Sequence, residues 1–187
     1  MISMVAEKAK TMINCDEQRE DNFQEYLRLL RDPNYVDVCF DEQSGGVSAV
    51  HREHKFDSEI GYYGIKIGEY EKIALNILRK RGHSIVLESE LAPNGIKTPD
   101  GKIDGFVMDI KATDGMGKWS IKKKIHDAAK QGSEVIILYF HKKELFSIER
   151  VTDGWYRFIT DSDSQQYINT IKHILCVVEE SVIEWSP

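Results

Sequence analysis

Two aspartates face each other across a predicted hairpin in the stretch TPDGKIDGFVMDIKAT, residues 98–113. Asp104-Gly105 is the strongest short signal for a two-residue hairpin turn. If these two residues form the turn, Asp100 lies directly opposite Asp109, and opposite residues have Cβ atoms about 4.5–5.5 Å apart. The sequence therefore predicts a pair of neighbouring carboxylates. A longer loop would change this register.

The chemistry that such a pair can support is metal-dependent phosphodiester cleavage. Because strand side chains alternate between faces, Lys111 shares the face of Asp109, while Phe106, Met108 and Ile110 face the core. Like charges placed opposite each other destabilise a hairpin unless a cation or a shared proton lies between them. Mg²⁺ or Mn²⁺ fits two carboxylates, and the lysine would orient water or stabilise charge on phosphorus. An ordinary solvated Asp–Lys surface is the competing interpretation.

The overall charge argues against broad phosphate binding. The 187 residues carry a net charge of −6, whereas proteins that bind nucleic acid through phosphates are usually basic. Residues 111–130 are a local exception, with six lysines against Asp114 and Asp127. The predicted nucleic-acid contacts from this region are Lys118, Trp119, Lys122, Lys123 and Lys130. A helix face kept soluble by lysines is the alternative.

Composition also limits the class of protein. Three widely spaced cysteines without a CxxC pair predict neither a disulfide framework nor a zinc site. The start MISMVAEKAK is charged where a signal peptide has its apolar core, and no apolar run reaches the length of a membrane helix. The sequence therefore predicts a cytoplasmic protein with no signal peptide and no membrane partner.

The elements that would position the hairpin follow from periodicity. Apolar residues from Tyr70 to Leu78 recur at helical spacing before Gly82. A strand over 84–91, a Pro93-Asn94-Gly95 turn, the hairpin, a helix over 119–131 and a buried strand over 135–140 follow. This order predicts an α+β (or α/β) fold with a mixed sheet and a helix–strand–hairpin–helix–strand core over residues 65–145.

The flanking regions complete the domain organisation. Residues 1–33 predict a helical arm, or a segment that joins the domain to a longer parent, ending near Pro33. Residues 34–187 would form one nuclease-like domain, beginning with a hairpin over 36–51. For the tail we expect a strand near 155–159, a helix near 164–175 and a last strand at 182–185.

The hairpin residues resemble the PD-(D/E)xK nuclease motif, with Pro99-Asp100, eight residues, and then Asp109-Ile110-Lys111. In that superfamily the two acids bind the catalytic metal and the lysine assists the attacking water. The resemblance implies an added glutamate from the preceding helix, best matched by Glu71 and less well by Glu69. It also implies a helix glutamine, matched by Gln131. Separately from the resemblance, Glu88 and Glu90 share one face of the predicted strand and would either add a third acid to the site or be exposed surface residues.

A wider stretch, from EYEKIALNILRKRGHSIVLESE to IKKKIHDAAKQGSEVIIL, is similar to toxin domains of contact-dependent growth inhibition. Related domains occur with phage minor head proteins in Bacteroides-type genomes. This resemblance implies a bacterial nuclease acting on tRNA or DNA, with a possible immunity protein as partner. Some such toxins are metal-independent tRNases of the barnase, colicin or RelE type, without a cofactor; Lys111, Thr113, Ser120 or His126 would then act in acid–base steps. A non-catalytic phage or mobile-element module that binds a protein is the third alternative.

Overall fold

The computed structural model describes residues 2–89 and 98–185, with side chains from residue 16 onward. Within these residues one eight-stranded mixed sheet is flanked by four α-helices, which confirms the α+β class. The helices are α1 (Ile2–Arg31), α2 (Ile67–Lys80), α3 (Ser120–Lys130) and α4 (Ile148–Ile159). The strands lie side by side in chain order: β1 (Tyr35–Phe40), β2 (Val47–His51), β3 (Ser84–Leu87), β4 (Gly101–Ile103), β5 (Phe106–Ala112), β6 (Val135–Phe140), β7 (His173–Val178) and β8 (Ser181–Trp185).

The sheet is buried on both faces, because helices connect its parallel strands. The parallel pairs are β2 with β3, β5 with β6, and β6 with β7. Helix α2 packs on one face, where Tyr70 and Leu78 join a cluster that includes Met108. Helices α3 and α4 cover the other face, where Ile125 and Phe158 pack in a second cluster. All six residues of β6 are buried, as its continuous apolar run predicts.

The N-terminal helix packs on the face that α3 and α4 also cover. Leu29 is fully buried with Val47, Ala49 and Val86. Strand pairing places Val86 beside Lys102 and Val107, on the face of Asp109. Helix α1 therefore lies over β1–β3 and α3 over β5 and β6, with β4 between them.

The predictions for the tail were wrong in two places. Residues 155–159 belong to helix α4 and not to a strand; Ser147 caps its start, accepting from the Arg150 backbone N–H at 3.2 Å. The predicted helix near 164–175 is a short 3₁₀ segment, Gln165–Thr170, followed by strand β7. The continuous apolar run of β7 is typical of a buried parallel strand. Burial of this run in the sheet determines the structure here, and not the helical spacing of the apolar residues before it. The last strand is confirmed as β8.

Four further expectations have defined outcomes. The hairpin over 36–51 and the helix over 119–131 are confirmed as β1–β2 and α3. Strand β3 ends at Leu87; Glu90 and the predicted turn at Pro93-Asn94-Gly95 lie outside the described residues. In the described ranges no helix combines the length and apolar character of a membrane span.

Candidate active site

The hairpin forms in the register that its turn residues predict. Ile103 pairs with Phe106, Lys102 with Val107 and Gly101 with Met108. At the turn Asp104 and Gly105 have φ values of 48° and 84°, which matches the left-handed conformation that a tight two-residue turn requires at both positions. The next pair outward from the turn is Asp100 and Asp109.

The sheet opens at this pair, because β5 is longer than β4. Strand β4 pairs with β5 over Phe106–Met108, whereas β5 continues alongside β6 as far as Ala112. Asp100 lies just before β4, and its Oδ2 accepts the backbone N–H of Ile110 at 2.7 Å. The Asp100 carboxylate thus accepts the Ile110 N–H in place of a neighbouring strand, and this hydrogen bond holds it beside β5.

The face that carries Asp109 is not the open polar surface that the alternation suggested. Asp109 is fully buried, and the Lys111 side chain is only 17% exposed. Helix α3 covers this face and packs on β5 and β6. The simple solvated-surface interpretation is therefore wrong for Asp109, whose charge must be balanced inside the protein.

The Lys111 ammonium group provides positive charge beside the buried Asp109 carboxylate. Its Nζ lies 2.6 Å from Asp109 Oδ1. Gln131, the C-cap residue that follows α3, places its Oε1 3.5 Å from the same ammonium group. The structure thus brings four of the predicted residues together: Asp100, Asp109, Lys111 and Gln131.

Burial dominates the ionisation of this group. Desolvation raises the pKa of Asp109 well above its usual range, and the negative charge of Asp100 raises it further. Desolvation also raises the pKa of Asp100. For Lys111, burial opposes the charged form, but the two carboxylates outweigh it and raise the pKa of the ammonium group. The carboxyl pair therefore favours holding a cation or a proton between its members.

Asp109 Oδ2 is the atom where that cation or proton would lie. It is buried and has no donor among the described residues, although such oxygens are nearly always satisfied. A hydrogen bond between the Asp100 and Asp109 carboxyls contributes to the pKa of both, so a shared proton is one way to satisfy the pair. Two carboxylates fit Mg²⁺ or Mn²⁺, since Mg²⁺ keeps waters and phosphate oxygens as its other ligands. In the described part of the chain no cluster of three or more His, Cys, Asp or Glu is arranged to hold a metal.

The two additional acids lie in different surroundings. Glu71 is 9% exposed on α2, and its charge contributes to the raised pKa of Asp100. The Nε2 of His54 lies 3.8 Å from Glu71 Oε2, and its Nδ1 lies 3.0 Å from the carbonyl oxygen of Glu88. The Glu88 carboxylate accepts the Tyr35 hydroxyl at 2.7 Å. Glu71 is therefore the acid with an electrostatic link to the pair.

Glu69, the weaker match, is engaged elsewhere. Its carboxylate forms an exposed ion pair with Lys72 at 2.7 Å. The two residues are three positions apart on α2, a spacing that stabilises an exposed helix slightly. This pairing gives Glu69 an ordinary surface role.

The residues proposed for metal-independent chemistry do not converge. The Thr113 hydroxyl is buried and donates to Tyr139 O at 2.7 Å. Ser120 donates to Gly117 O at 2.7 Å. His126 Nδ1 lies 2.8 Å from Ser164 Oγ and its ring packs on Tyr167, on the α4 side of α3. Each group has a local structural role.

The predicted nucleic-acid residues lie along and before α3. Lys123 and Lys130 are exposed, and Lys122 is paired with Asp161 at 2.7 Å. Trp119 is 54% exposed and has the Lys118 ammonium 5.4 Å from its ring centroid. Arg157 lies 4.6 Å from that centroid. Sequence reasoning missed this arginine because its segment was predicted as a strand; its i,i+4 ion pair with Asp153 was the available signal for a helix.

Comparison of this chain with protein-family models, curated proteins and solved structures finds no match. The case for a function therefore depends on the geometry of the site.

Proposed function

We propose that this protein is a metal-dependent nuclease of the PD-(D/E)xK type. The observation that carries the proposal is the buried Asp100–Asp109 pair with Lys111 Nζ 2.6 Å from Asp109. Burying two carboxyls with one lysine is unfavourable unless the site gains something from it. Binding of a divalent cation would provide that gain, since it neutralises the carboxylates and gives Asp109 Oδ2 a partner.

The residues that would hold the metal are Asp100 and Asp109. Glu71 acts on this pair through its charge and does not complete a set of three ligands, since the described residues contain no such cluster. When bound, Mg²⁺ or Mn²⁺ supplies Lewis acidity toward a phosphate oxygen and lowers the pKa of water. Lys111 remains charged because the carboxylates raise its pKa, so it can orient the attacking water and stabilise negative charge on phosphorus. Gln131 keeps the lysine in place through its Oε1.

The arrangement supports this proposal over the two alternatives. A metal-independent tRNase needs an acid and a base near one phosphate, whereas Thr113, Ser120 and His126 are hydrogen-bonded at separate places. A protein-binding module has no need of a buried carboxyl pair, because charges usually remain on its rim. The proposed substrate is DNA or tRNA. The proposed protein partner is an immunity protein.

The direct test is a cleavage assay on plasmid DNA and on tRNA with Mg²⁺, Mn²⁺ or EDTA. We expect cleavage with either metal and none with EDTA. Asp109→Asn should reduce the rate by more than about a hundredfold, since loss of a ligand exceeds the 10–100-fold effect of altering an outer-shell partner. Cleavage that persists in EDTA would instead indicate the metal-independent mechanism.

A matched control is needed because Asp109 is buried. Asp41→Asn removes an acid of similar type that accepts the Ser44 backbone N–H at 2.8 Å and pairs with Arg79 at 3.5 Å, next to the end of β1 and away from both the carboxyl pair and α3. It should leave metal-dependent cleavage unchanged. Full activity in Asp109→Asn, or equal loss in both variants, would contradict the assignment of the site.

A further inference from the structure

Two cavities lie on the face of the sheet that bears the catalytic residues, and they differ in charge. The first, of about 320 Å³, lies between α1 and strands β3 and β4 and extends to Glu88. Four of its lining residues are acidic and two are basic, namely Asp21, Glu25, Glu88 and Asp104 against Arg28 and Lys102. This balance disfavours a phosphate backbone.

The second cavity, of about 360 Å³, lies where the start of α3 meets α4. Its volume is within the roughly 300–1,000 Å³ typical of small-molecule pockets. Its lining combines aromatic, charged and polar side chains: Trp119, Lys122, Asp153, Tyr156, Arg157, Thr160 and Asp161. The two acids and two cations are equal in number and form ion pairs of 2.7 Å, Lys122 with Asp161 and Arg157 Nε with Asp153. A phosphate contact would therefore use the remaining guanidinium nitrogens of Arg157.

The aromatic side chains of this cavity are open to solvent. Trp119 is 54% exposed and Tyr156 is 62% exposed. Large aromatic side chains at such exposure form a surface on which a flat group can stack. The Arg157 guanidinium and the Lys118 ammonium lie 4.6 Å and 5.4 Å from the Trp119 ring centroid. Cations beside a stacked ring are placed to contact phosphates.

The same helix connects this cavity to the candidate active site. Helix α3 begins one residue after Trp119 and ends one residue before Gln131, so its 11 residues span about 16 Å. Lys123 and Lys130 are exposed along it. A strand of nucleic acid lying over α3 could therefore contact both places.

The geometry points to a pocket at Trp119 and Tyr156 that binds an unpaired nucleobase of the substrate, with Arg157 and Lys118 contacting its phosphates. A stacked base must be free of a duplex, so the pocket specifies single-stranded nucleic acid or an unpaired loop. The role in cleavage depends on the proposed nuclease function, whereas base binding itself requires neither metal nor catalysis.

The test is a binding titration of the whole protein in EDTA, so that no cleavage takes place. Fluorescence anisotropy would follow labelled oligodeoxythymidine, oligouridine and a DNA duplex of equal length. We expect both single strands to bind more tightly than the duplex. Trp119→Ala should weaken single-strand binding about tenfold, and Trp119→Phe should restore most of it, because stacking on one side chain has effects of this size.

Tyr62→Ala is the matched control, since Tyr62 is an aromatic side chain with 81% exposure outside this cavity. It should bind as the unmodified protein does. Near-ultraviolet circular dichroism verifies that each variant is folded. Equal affinity of Trp119→Ala and Tyr62→Ala, or equal binding of duplex and single strands, would overturn the pocket and leave its aromatic residues as a protein-contact surface.

The same variants separate this pocket from the nuclease proposal. If Trp119→Ala weakens binding but no metal supports cleavage, the pocket stands and the proposed function fails. If metal-dependent cleavage is present and Trp119→Ala leaves both single-strand affinity and KM unchanged, the pocket fails and the nuclease stands.

Discussion

The two ends of the β4–β5 hairpin each carry an aspartate, and the two aspartates differ in exposure and in hydrogen bonding. At the turn, Asp104 is half-exposed and its carboxylate accepts from Ser84 N–H at 2.8 Å and lies 2.6 Å from His83 Nδ1. At the other end, Asp109 is fully buried beside a second carboxyl and keeps one oxygen without a hydrogen bond among the described residues. The first arrangement gives both carboxylate oxygens a partner, whereas the second gives one only to Oδ1, which lies 2.6 Å from Lys111 Nζ.

By this comparison, Asp104 stabilises the fold, whereas the Asp100–Asp109 pair lowers its stability. A satisfied acid at a turn contributes to folding, whereas crowded buried carboxyls oppose it. Proteins commonly accept such local conflict at functional sites. Stability measurements at both ends therefore test whether the open end is a site.

The largest expected effect comes from removing the Lys111 cation at the open end. Lys111→Met leaves two buried carboxyls without their ion-pair partner, and breaking a buried pair costs about 3–5 kcal/mol. Urea unfolding at neutral pH would measure it. Lys72→Met, which breaks an exposed pair of similar length, should have a small effect. Equal small effects would show that Lys111 does not balance the carboxyls.

The next effect is at the turn. Asp104→Ala removes the acceptor for Ser84 N–H and places alanine at a φ of 48°, so we expect a loss of about 1–2 kcal/mol. Asp104→Asn should retain most of the stability, because asparagine accepts the same bond and tolerates this backbone conformation. Thermal unfolding of both variants is the measurement. A neutral alanine variant would remove the contrast between the two ends.

The opposite sign is expected for Asp100→Asn. The amide oxygen can still accept the Ile110 N–H, and the amide nitrogen can donate to Asp109. The variant should be more stable than the parent by about 1 kcal/mol near neutral pH, while losing metal-dependent cleavage. Denaturant titration and the cleavage assay test this together. Loss of both stability and activity would assign Asp100 a structural role.

The last test of the open end is the dependence of stability on pH. Because the folded-state pKa values of Asp100 and Asp109 are raised, the folded protein binds more protons than the unfolded chain above the ordinary value of 3.8. Stability from these groups is therefore present below that value and is lost as pH rises through the raised pKa values. Thermal melts in EDTA near pH 5 and near pH 8 should show it, although other groups titrate too.

Thermal melts at the same two pH values with added Mg²⁺ test whether the carboxyl pair binds a divalent cation. A divalent cation competes with the proton for the carboxyl pair, so its stabilising effect should be greater near pH 8 than near pH 5. Asp100→Asn should reduce this difference. An effect of Mg²⁺ that is equal at both pH values would indicate binding elsewhere on the surface.

The parts of the fold that local signals specify were predictable. The Asp104-Gly105 turn sets the pairing of β4 with β5, and the apolar spacing of α2 and the continuous run of β6 specify those elements. Helix α4 was not predicted because its strongest signals, the Ser147 cap and the Asp153–Arg157 pair, are polar. An apolar segment with aromatic residues such as Trp155 also suits a strand.

The candidate site shows the same limit. The sequence places Asp100, Asp109 and Lys111 together because they belong to one hairpin, and Gln131, expected from the resemblance alone, lies beside Lys111 at the end of α3. Burial of Asp109 was not predictable, since it depends on how α3 packs over β5. The Trp119–Tyr156 pocket needs two helices that meet in space, and α4 was not assigned as one of them.

Strand β5 lies between β4 and β6 in the middle of the sheet. The backbone of Asp109 and Lys111 is part of the sheet interior and shares the rigidity of the core. Under the proposed function, the deformation needed for contact would then come from the nucleic acid. A bent or unpaired strand yields at much lower energy than a stiff duplex, so mechanical compliance of the substrate would be a form of selectivity.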